Sequence, residues 1–460
     1  MHQKWLKTTE VEVASNSKLA FYIETIEVNP LSALAFYAAG EKEHRGKRFF
    51  WQNREKTLTI VGLGQAIVFE NNANNNRFDE IERQWKELTQ NIVMEDQEPQ
   101  PILFGGFTFD PENKIKNEWD GFPHSYFTVA TFQLVIRNEK AYVSIHFITE
   151  QENSSVMFDA LRKERDRLIH AAQVKELKHY EKPLLSSIQE RNKEHYLRSV
   201  EDVTNLIRNK EADKVVIARS LELNFKDTLS SPQILQQIIN EQPESYLFGI
   251  ERDNLLFFGA TPERLVKVVN RNAYSACVAG SIRRGKTAEE DQFLGDFLLK
   301  DSKNLGEHRY VVDMIENTFA KNCKEYKVPK HPKLLKIRDI QHLYTPVEGK
   351  LLNGATILQL VKHLHPTPAL GGFPTKEAMK IIREYELMNR GLYAAPIGWM
   401  DAEGNGEFVV AIRSAALIDN KAYLYAGGGI VADSNPQTEY EETLVKFRPM
   451  LRALGGQIHE

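Results

Sequence analysis

Cysteine is nearly absent from this chain of 460 residues. Only Cys277 and Cys323 occur, far apart and without the close spacing of a metal or disulfide framework. That excludes a cysteine-built metal site and leaves two reduced thiols, read as small core residues of a cytoplasmic protein. Long apolar runs are also missing; none approaches the ~20 residues that span a bilayer. The opening MHQKWLKTTEVEVASNSK has no apolar stretch of the secretory kind. Neither sign of charge dominates: 59 Lys and Arg face 63 Asp and Glu, for a net charge of −4. Nothing in that balance favours a nucleic acid or a membrane surface. No internal repeat appears. What remains is ordinary globular composition, long enough to bury a large core.

The first ~180 residues hold closely spaced strand-like runs: TLTIVGLGQAIVFE, PILFGGFTF, YFTVATFQLVI and KAYVSIHFI. The short turns between them suggest antiparallel hairpins and meanders. Two polar loops, Asn71–Asn76 and Met94–Pro101, interrupt them. Helical periodicity appears at Phe158–Lys178 and Ser187–Lys210, with KHYEKPLLSS as linker; Tyr196, Val200, Val203 and Ile207 share one face. The second half adds strand pairs, DKVVIARSLEL, SYLFGI with NLLFFGA, LVKVV with AYSACVAG, and EFVVAIRSAALID with KAYLYAGGGIVAD. Helices are expected at Glu289–Lys300, Gly306–Cys323, Thr356–His363, Lys376–Asn389 and Thr438–Leu454. Pro449 should kink or end the last of these. The expected class is α+β: a large antiparallel β-sandwich flanked by helices. Residues 1–185 are expected to add strands and helices to the same fold as a catalytic region at 186–460.

Gly280 to Thr287, GSIRRGKT, matches the phosphate-binding pattern G-x-x-x-x-G-K-T. A nucleotide-binding protein is therefore one reading. Against it stand the antiparallel context and the acids that follow at once in TAEED. The best strand end for a magnesium-holding aspartate, AALID at Asp419, is weak.

Other stretches carry chemistry. YAGGGIVADSNPQTEYEET puts three glycines at a strand end, exposing backbone N–H groups. Asn435 and Pro436 read as a helix start, and Glu439 and Glu442 then share a face. Such acids are usually helix-start charge. Beside anion-binding glycines they also suit a divalent ion, and oxygen-only ligands suit Mg²⁺. Glu307 opens another amphipathic helix. Lys214 opens a strand, where lysine is commonly an edge charge, and Glu263 follows Thr-Pro at a turn.

Taken in order, KVVIARS, GATPERL, AGSIRRGKTAEED, DSKNLGEH, IQHLYTPVEG, HPTPALGG, RGLYAAPIGW, AIRSAALI and AGGGIVADSNPQTEYEET closely resemble the chorismate-binding enzyme family, over about Ser187 to Leu454. The RGKT loop is part of that signature. The resemblance implies a β-sandwich with chorismate and Mg²⁺ in a central cleft. It implies Glu307 and Glu442 as metal ligands, with Glu439 as an outer partner. Arg413, Tyr393 and the Gly427, Gly428 and Gly429 backbone would hold the side-chain carboxylate of chorismate. Gly280, Ser281 and His342 would line the pocket. His342 reads equally as a structural histidine.

Individual positions divide the family. Ammonia-using anthranilate and aminodeoxychorismate synthases generally lack a lysine at the place of Lys214, and the latter often carry a nucleophilic lysine where this chain has Ala279. Salicylate-forming relatives tend to carry a carboxylate where this chain has Asn304. The HPTPALGG wording and the long N-terminal region look most like isochorismate synthases of the menaquinone pathway. A salicylate synthase, a siderophore-pathway isochorismate synthase and a non-catalytic paralogue are the alternatives. In the implied reaction Lys214 deprotonates water and Glu263 protonates the leaving hydroxyl. Lys214 should then have a lowered pKa and Glu263 a raised one. A monomer without an amidotransferase subunit is expected.

Overall fold

In the computed structural model, described for residues 5–12, 18–73, 76–90, 99–113, 117–150, 154–174 and 180–456, the strand-like runs form two antiparallel sheets. The opening residues, the loops at Asn71–Asn76 and Met94–Pro101, and the linker from Lys178 fall wholly or partly outside these residues.

The first sheet has 13 strands among the described residues. Across it run Trp5–Glu12, Lys18–Val28, Lys140–Glu150, Phe132–Arg137, Leu58–Leu63, Arg48–Gln52, Tyr246–Arg252, Leu255–Thr261, Ser414–Ile418, Lys421–Ile430, Lys214–Phe225 and Leu185–Glu190, with Gly372–Phe373 beside Lys214. The second has 10: Cys323–Lys327, Ile340–Leu351, Asn272–Arg283, Arg264–Val269, Gly406–Val410, Pro396–Asp401, Ile102–Phe107, Ser125–Val129 and Ile67–Asn71, with Lys333–Lys336 off the path. Both sheets mix strands from before and after residue 186.

Several runs that read as one strand are two, one in each sheet. Leu58–Leu63 and Ile67–Asn71 separate at Gly64, whose φ is +72°. Ser125–Val129 and Phe132–Arg137 separate at Ala130–Thr131. Leu255–Thr261 and Arg264–Val269, already separate runs in the sequence with Glu263 at the turn between them, likewise lie one in each sheet, joined through Pro262–Glu263. EFVVAIRSAALID breaks at Ala411–Arg413, where Arg413 takes φ +50°. Such corners let each half-strand turn its apolar face inward.

The core lies between the sheets. Phe49 of the first stacks on Phe104 of the second, 4.4 Å apart at 12°. Trp51, Phe257, Val266 and Phe408 are fully buried with them. A buried ring of this kind contributes ~1.5–3 kcal/mol. The outer face of the first sheet has its own apolar layer, in which Phe36, Leu235 and Leu451 come from covering helices.

Helix bounds differ from the periodicity in instructive ways. The expected helix from Ser187 begins at Lys193, because Leu185–Glu190 pairs as an edge strand with Lys214–Phe225. The helix carrying Glu307 starts at Ser302 and not Gly306: Asp301 caps it by accepting from the Asn304 N–H at 2.9 Å. The helix expected to reach Asn389 is Thr375–Tyr385. Pro449 does not end the last helix, which runs Pro436–Ala453; the buried neighbours Phe447, Met450 and Leu451 hold its final turn against the sheet. Among the described residues three further α-helices, Ala33–Ala39, Arg77–Thr89 and Ser231–Glu241, lie outside the segments whose periodicity predicts a helix.

Candidate active site

The strand Lys421–Ile430 pairs with Ser414–Ile418 only as far as Leu424, while its other edge stays paired with Lys214–Phe225. The chain has left the first sheet at Arg413, so among the described residues the backbone from Tyr425 to Ile430 has no strand beside it there. That edge walls a cleft of about 1100 Å³ of empty space, its mouth included. Gly427 and Gly429 line it. Gly428 does not: its missing Cβ faces Glu439 and Tyr196. Strand alternation separates the three glycines in this way.

Two sheet-crossing corners meet in the cleft and are tied together. The Val410 N–H donates to Glu263 O at 3.0 Å, and the Ala260 N–H donates to Arg413 O at 3.0 Å. The Glu263 carboxyl is buried, which pushes its pKa up to about 8 against the nearby charges of Lys214 and Arg413. Lys214 is no edge charge. It is fully buried on an inner strand, and its Nζ donates to Glu307 Oε1 at 2.5 Å. A Cβ on Gly429 would stand 2.7 Å from Lys214 Cε, so glycine is what admits the lysine there.

Arg413 is buried, and burial lowers its pKa; its Nη1 has no hydrogen-bond partner among the described residues. An arginine fork with a free nitrogen suits a carboxylate. Tyr393 stacks on Tyr425, 5.3 Å away at 27°, and burial pushes its phenol up to about 12. His342 pairs with Ser281, Nδ1 to Oγ at 2.7 Å, and leaves Nε2 unpartnered. Burial and the Arg413 charge lower its pKa to about 3, so it is neutral. Ser281 lines the cleft and Gly280 does not; Gly280, at φ +79°, makes the bulge between Val278 and Ser281 that turns Ser281 inward. The Asn304 Oδ1 accepts from the Ser281 N–H at 3.2 Å while its Nδ2 donates to Asp301 at 2.7 Å. An amide serves both contacts at once; a carboxylate would face Asp301 with like charge.

Glu307 reaches the cleft from the second turn of its helix; Glu439 and Glu442 reach it from the first turns of Pro436–Ala453, which Asn435 caps as the sequence suggests. Burial and the charge of Glu442 hold the Glu439 carboxyl above its ordinary value. The surroundings of Glu442 also work upward, but Lys446 at 2.6 Å outweighs them and holds it below. Among the described residues no three acids, histidines or cysteines stand close enough to cage a metal alone. The set still fits Mg²⁺: three hard oxygen donors, Glu307, Glu439 and Glu442, converge on one cleft, and this ion ordinarily retains waters and substrate oxygens in its shell.

Tyr425, Lys303 and Lys446 also line the cleft and were not foreseen. Only Lys446 left a trace, four residues after Glu442 on a helix. A buried Glu386–Arg390 pair was missed too. The Glu386 carboxylate accepts from the Ala218 N–H at 2.8 Å, and Arg390 donates to Val216 O at 2.8 Å, filling the sheet edge behind the lysine strand.

The RGKT loop is occupied by the protein itself. The Gly285 N–H donates to Asp291 Oδ1 at 2.9 Å and the Lys286 N–H to Glu290 Oε2 at 2.6 Å. Arg284 and Lys336 also bind Asp291, and these contacts hold its carboxyl well below the usual range. The amides that would cradle phosphate are thus satisfied by carboxylates, and Asp419 lies in a remote hairpin turn. Calorimetry with ATP is expected to show no micromolar site; such a site, abolished by Lys286→Ala, would contradict this.

A family model described as chorismate binding enzyme matches residues 7–455. The chain is 40% identical over 440 residues to the isochorismate synthase MenF of Bacillus subtilis, covering 94% of this chain and 93% of that protein. It is 33% identical over 445 residues to a salicylate biosynthesis isochorismate synthase of Pseudomonas aeruginosa, covering 94% and 90%. Its fold superimposes on the solved structure of the menaquinone-specific isochorismate synthase MenF of Escherichia coli with a TM-score of 0.78, at 23% identity, covering 97% of this chain and 96% of that one.

Proposed function

The chain belongs to the chorismate-binding enzyme family, and from that premise we propose that it is an isochorismate synthase, of the menaquinone-pathway type, converting chorismate to isochorismate. The observation that carries the mechanism is the buried Glu263 carboxyl, which lines the cleft, has its pKa raised to about 8, and lies near enough to the buried Lys214 to feel its charge. At neutral pH that carboxyl has a proton to donate.

Arg413, through its unpartnered nitrogen, holds the side-chain carboxylate of chorismate, with Tyr393 and the Gly427 and Gly429 backbone beside it. Lys214, released from Glu307, takes a proton from a water that adds at ring C2. The ring double bond shifts, and the C4 hydroxyl leaves with the proton of Glu263. One water enters and one leaves, so the net change is an isomerisation. Neutral His342 offers Nε2 to the pocket without adding charge. Glu307 and Glu442, with Glu439 outside them, would hold Mg²⁺, which neutralises the ring carboxylate. The Asn304 amide, committed to Ser281 and Asp301, gives the ring no extra carboxylate base and favours stopping at isochorismate.

Incubation with chorismate and MgCl2 is expected to yield isochorismate without matching salicylate and pyruvate. A chelator should abolish turnover, and Glu307→Ala and Glu442→Ala should each remove most of it. Stoichiometric salicylate and pyruvate would move the assignment to a salicylate synthase. Full activity of either variant in limiting Mg²⁺ would remove that ligand.

A further inference from the structure

On the buried face of the glycine strand stands a buried hydroxyl to which the proposed reaction gives no role. A Cβ built on Gly428 would meet Glu439 Oε2 at 3.0 Å and the Tyr196 hydroxyl at 3.3 Å. The two side chains therefore converge on the space that a residue without a side chain keeps clear. Tyr196 comes from the helix Lys193–Arg208, is 3% exposed, and its hydroxyl has no hydrogen-bond partner among the described residues. A buried hydroxyl left unpaired is costly, so a nearby acceptor should draw it.

Glu439 supplies that acceptor. Its Oε1 is already fixed, accepting from Ser434 Oγ at 2.7 Å, and its Oε2 is the oxygen turned toward Gly428. Behind Tyr196, the Arg219 guanidinium is packed over the Tyr440 ring at 4.4 Å and lies 5.8 Å from the Tyr196 ring.

We infer that Tyr196 is a positioning residue for Glu439. Its O–H, admitted by the missing side chain of Gly428, steers the carboxylate and with it the cation affinity of the cleft. The inference rests on the proposed role of Glu439 beside a divalent ion. Tyr196 is not among the residues that line the cleft. Its loss should weaken cation binding more than it slows the loaded enzyme. Outer partners of metal ligands commonly contribute ~10–100-fold to metal affinity.

The test measures Mn²⁺ binding to the purified protein by loss of the free-ion paramagnetic resonance signal, alongside steady-state kinetics. Tyr196→Phe keeps the ring and removes the hydroxyl. It is expected to bind Mn²⁺ ~10-fold more weakly, with KM for chorismate little changed and kcat restored at saturating MgCl2. Gly428→Ala, which puts a methyl where the two groups meet, should lose more affinity with an unchanged circular dichroism spectrum. Wild-type Mn²⁺ affinity in a folded Tyr196→Phe protein would overturn the inference while leaving a Mg²⁺-dependent synthase intact. A wild-type protein that neither binds Mn²⁺ nor converts chorismate would overturn both.

Discussion

Lys214→Gln is expected to lower isochorismate formation by ~10²–10⁴-fold or more, the usual contribution of a positioned base, while the protein stays folded and still binds chorismate. Water is a poor nucleophile at neutral pH, and glutamine, of similar length, accepts no proton there. The proposed substrate contacts, Arg413, Tyr393 and the glycine edge, lie on other segments, so binding should survive. The fold should survive as well, since an amide brings a donor and no new charge to the buried strand position. Steady-state kinetics with circular dichroism decide the matter. A folded variant within a few-fold of the parent rate would remove the base assignment, and with it the main chemical reason for choosing water over ammonia as the nucleophile.

Glu263→Gln should produce a comparable loss of activity together with a gain in stability that depends on pH. The activity loss follows because an amide has no proton to give the departing hydroxyl. The stability change follows from linkage. Burial raises the folded-state pKa from an ordinary 4.5 to about 8. Between those values the unfolded chain releases the proton and the folded protein keeps it. Folded protein then binds more protons than unfolded, so wild-type stability falls as pH rises through this window. Glutamine does not titrate. The melting temperature of Glu263→Gln should therefore gain on wild type steadily from about pH 5 to about pH 8. The wild-type rate, in turn, should decline as pH passes about 8, where the acid loses its proton. A melting difference that stays flat with pH would show that the buried carboxyl does not hold its proton, and would withdraw it as the acid.

Legibility differed by feature. The Pro436 helix was readable because its start signals are local: Asn435 accepts from the N–H groups of Gln437 and Thr438, two and three residues on. The hairpins were readable because alternation and tight turns are local too. The corner at Arg413 was not. Nothing in EFVVAIRSAALID marks Arg413 as the point where the chain changes sheet, since both halves are apolar and β-prone. Tyr196 was legible as a helix-face residue, but nothing local shows that its hydroxyl and Glu439, on two helices nearly 250 residues apart in sequence, approach the same bare face of Gly428.

By itself the sequence determined the α+β class, the antiparallel pairing, the glycine edge and the ordered set of motifs that mark the family, because each depends on residues close together in the chain. Only the tertiary structure decided that Lys214 is buried against Glu307, that Glu263 is kept neutral, and that the RGKT amides are taken by Glu290 and Asp291. Burial and charge proximity set those states. Both arise when distant strands cross between two sheets, and no local pattern of residues records where they will cross.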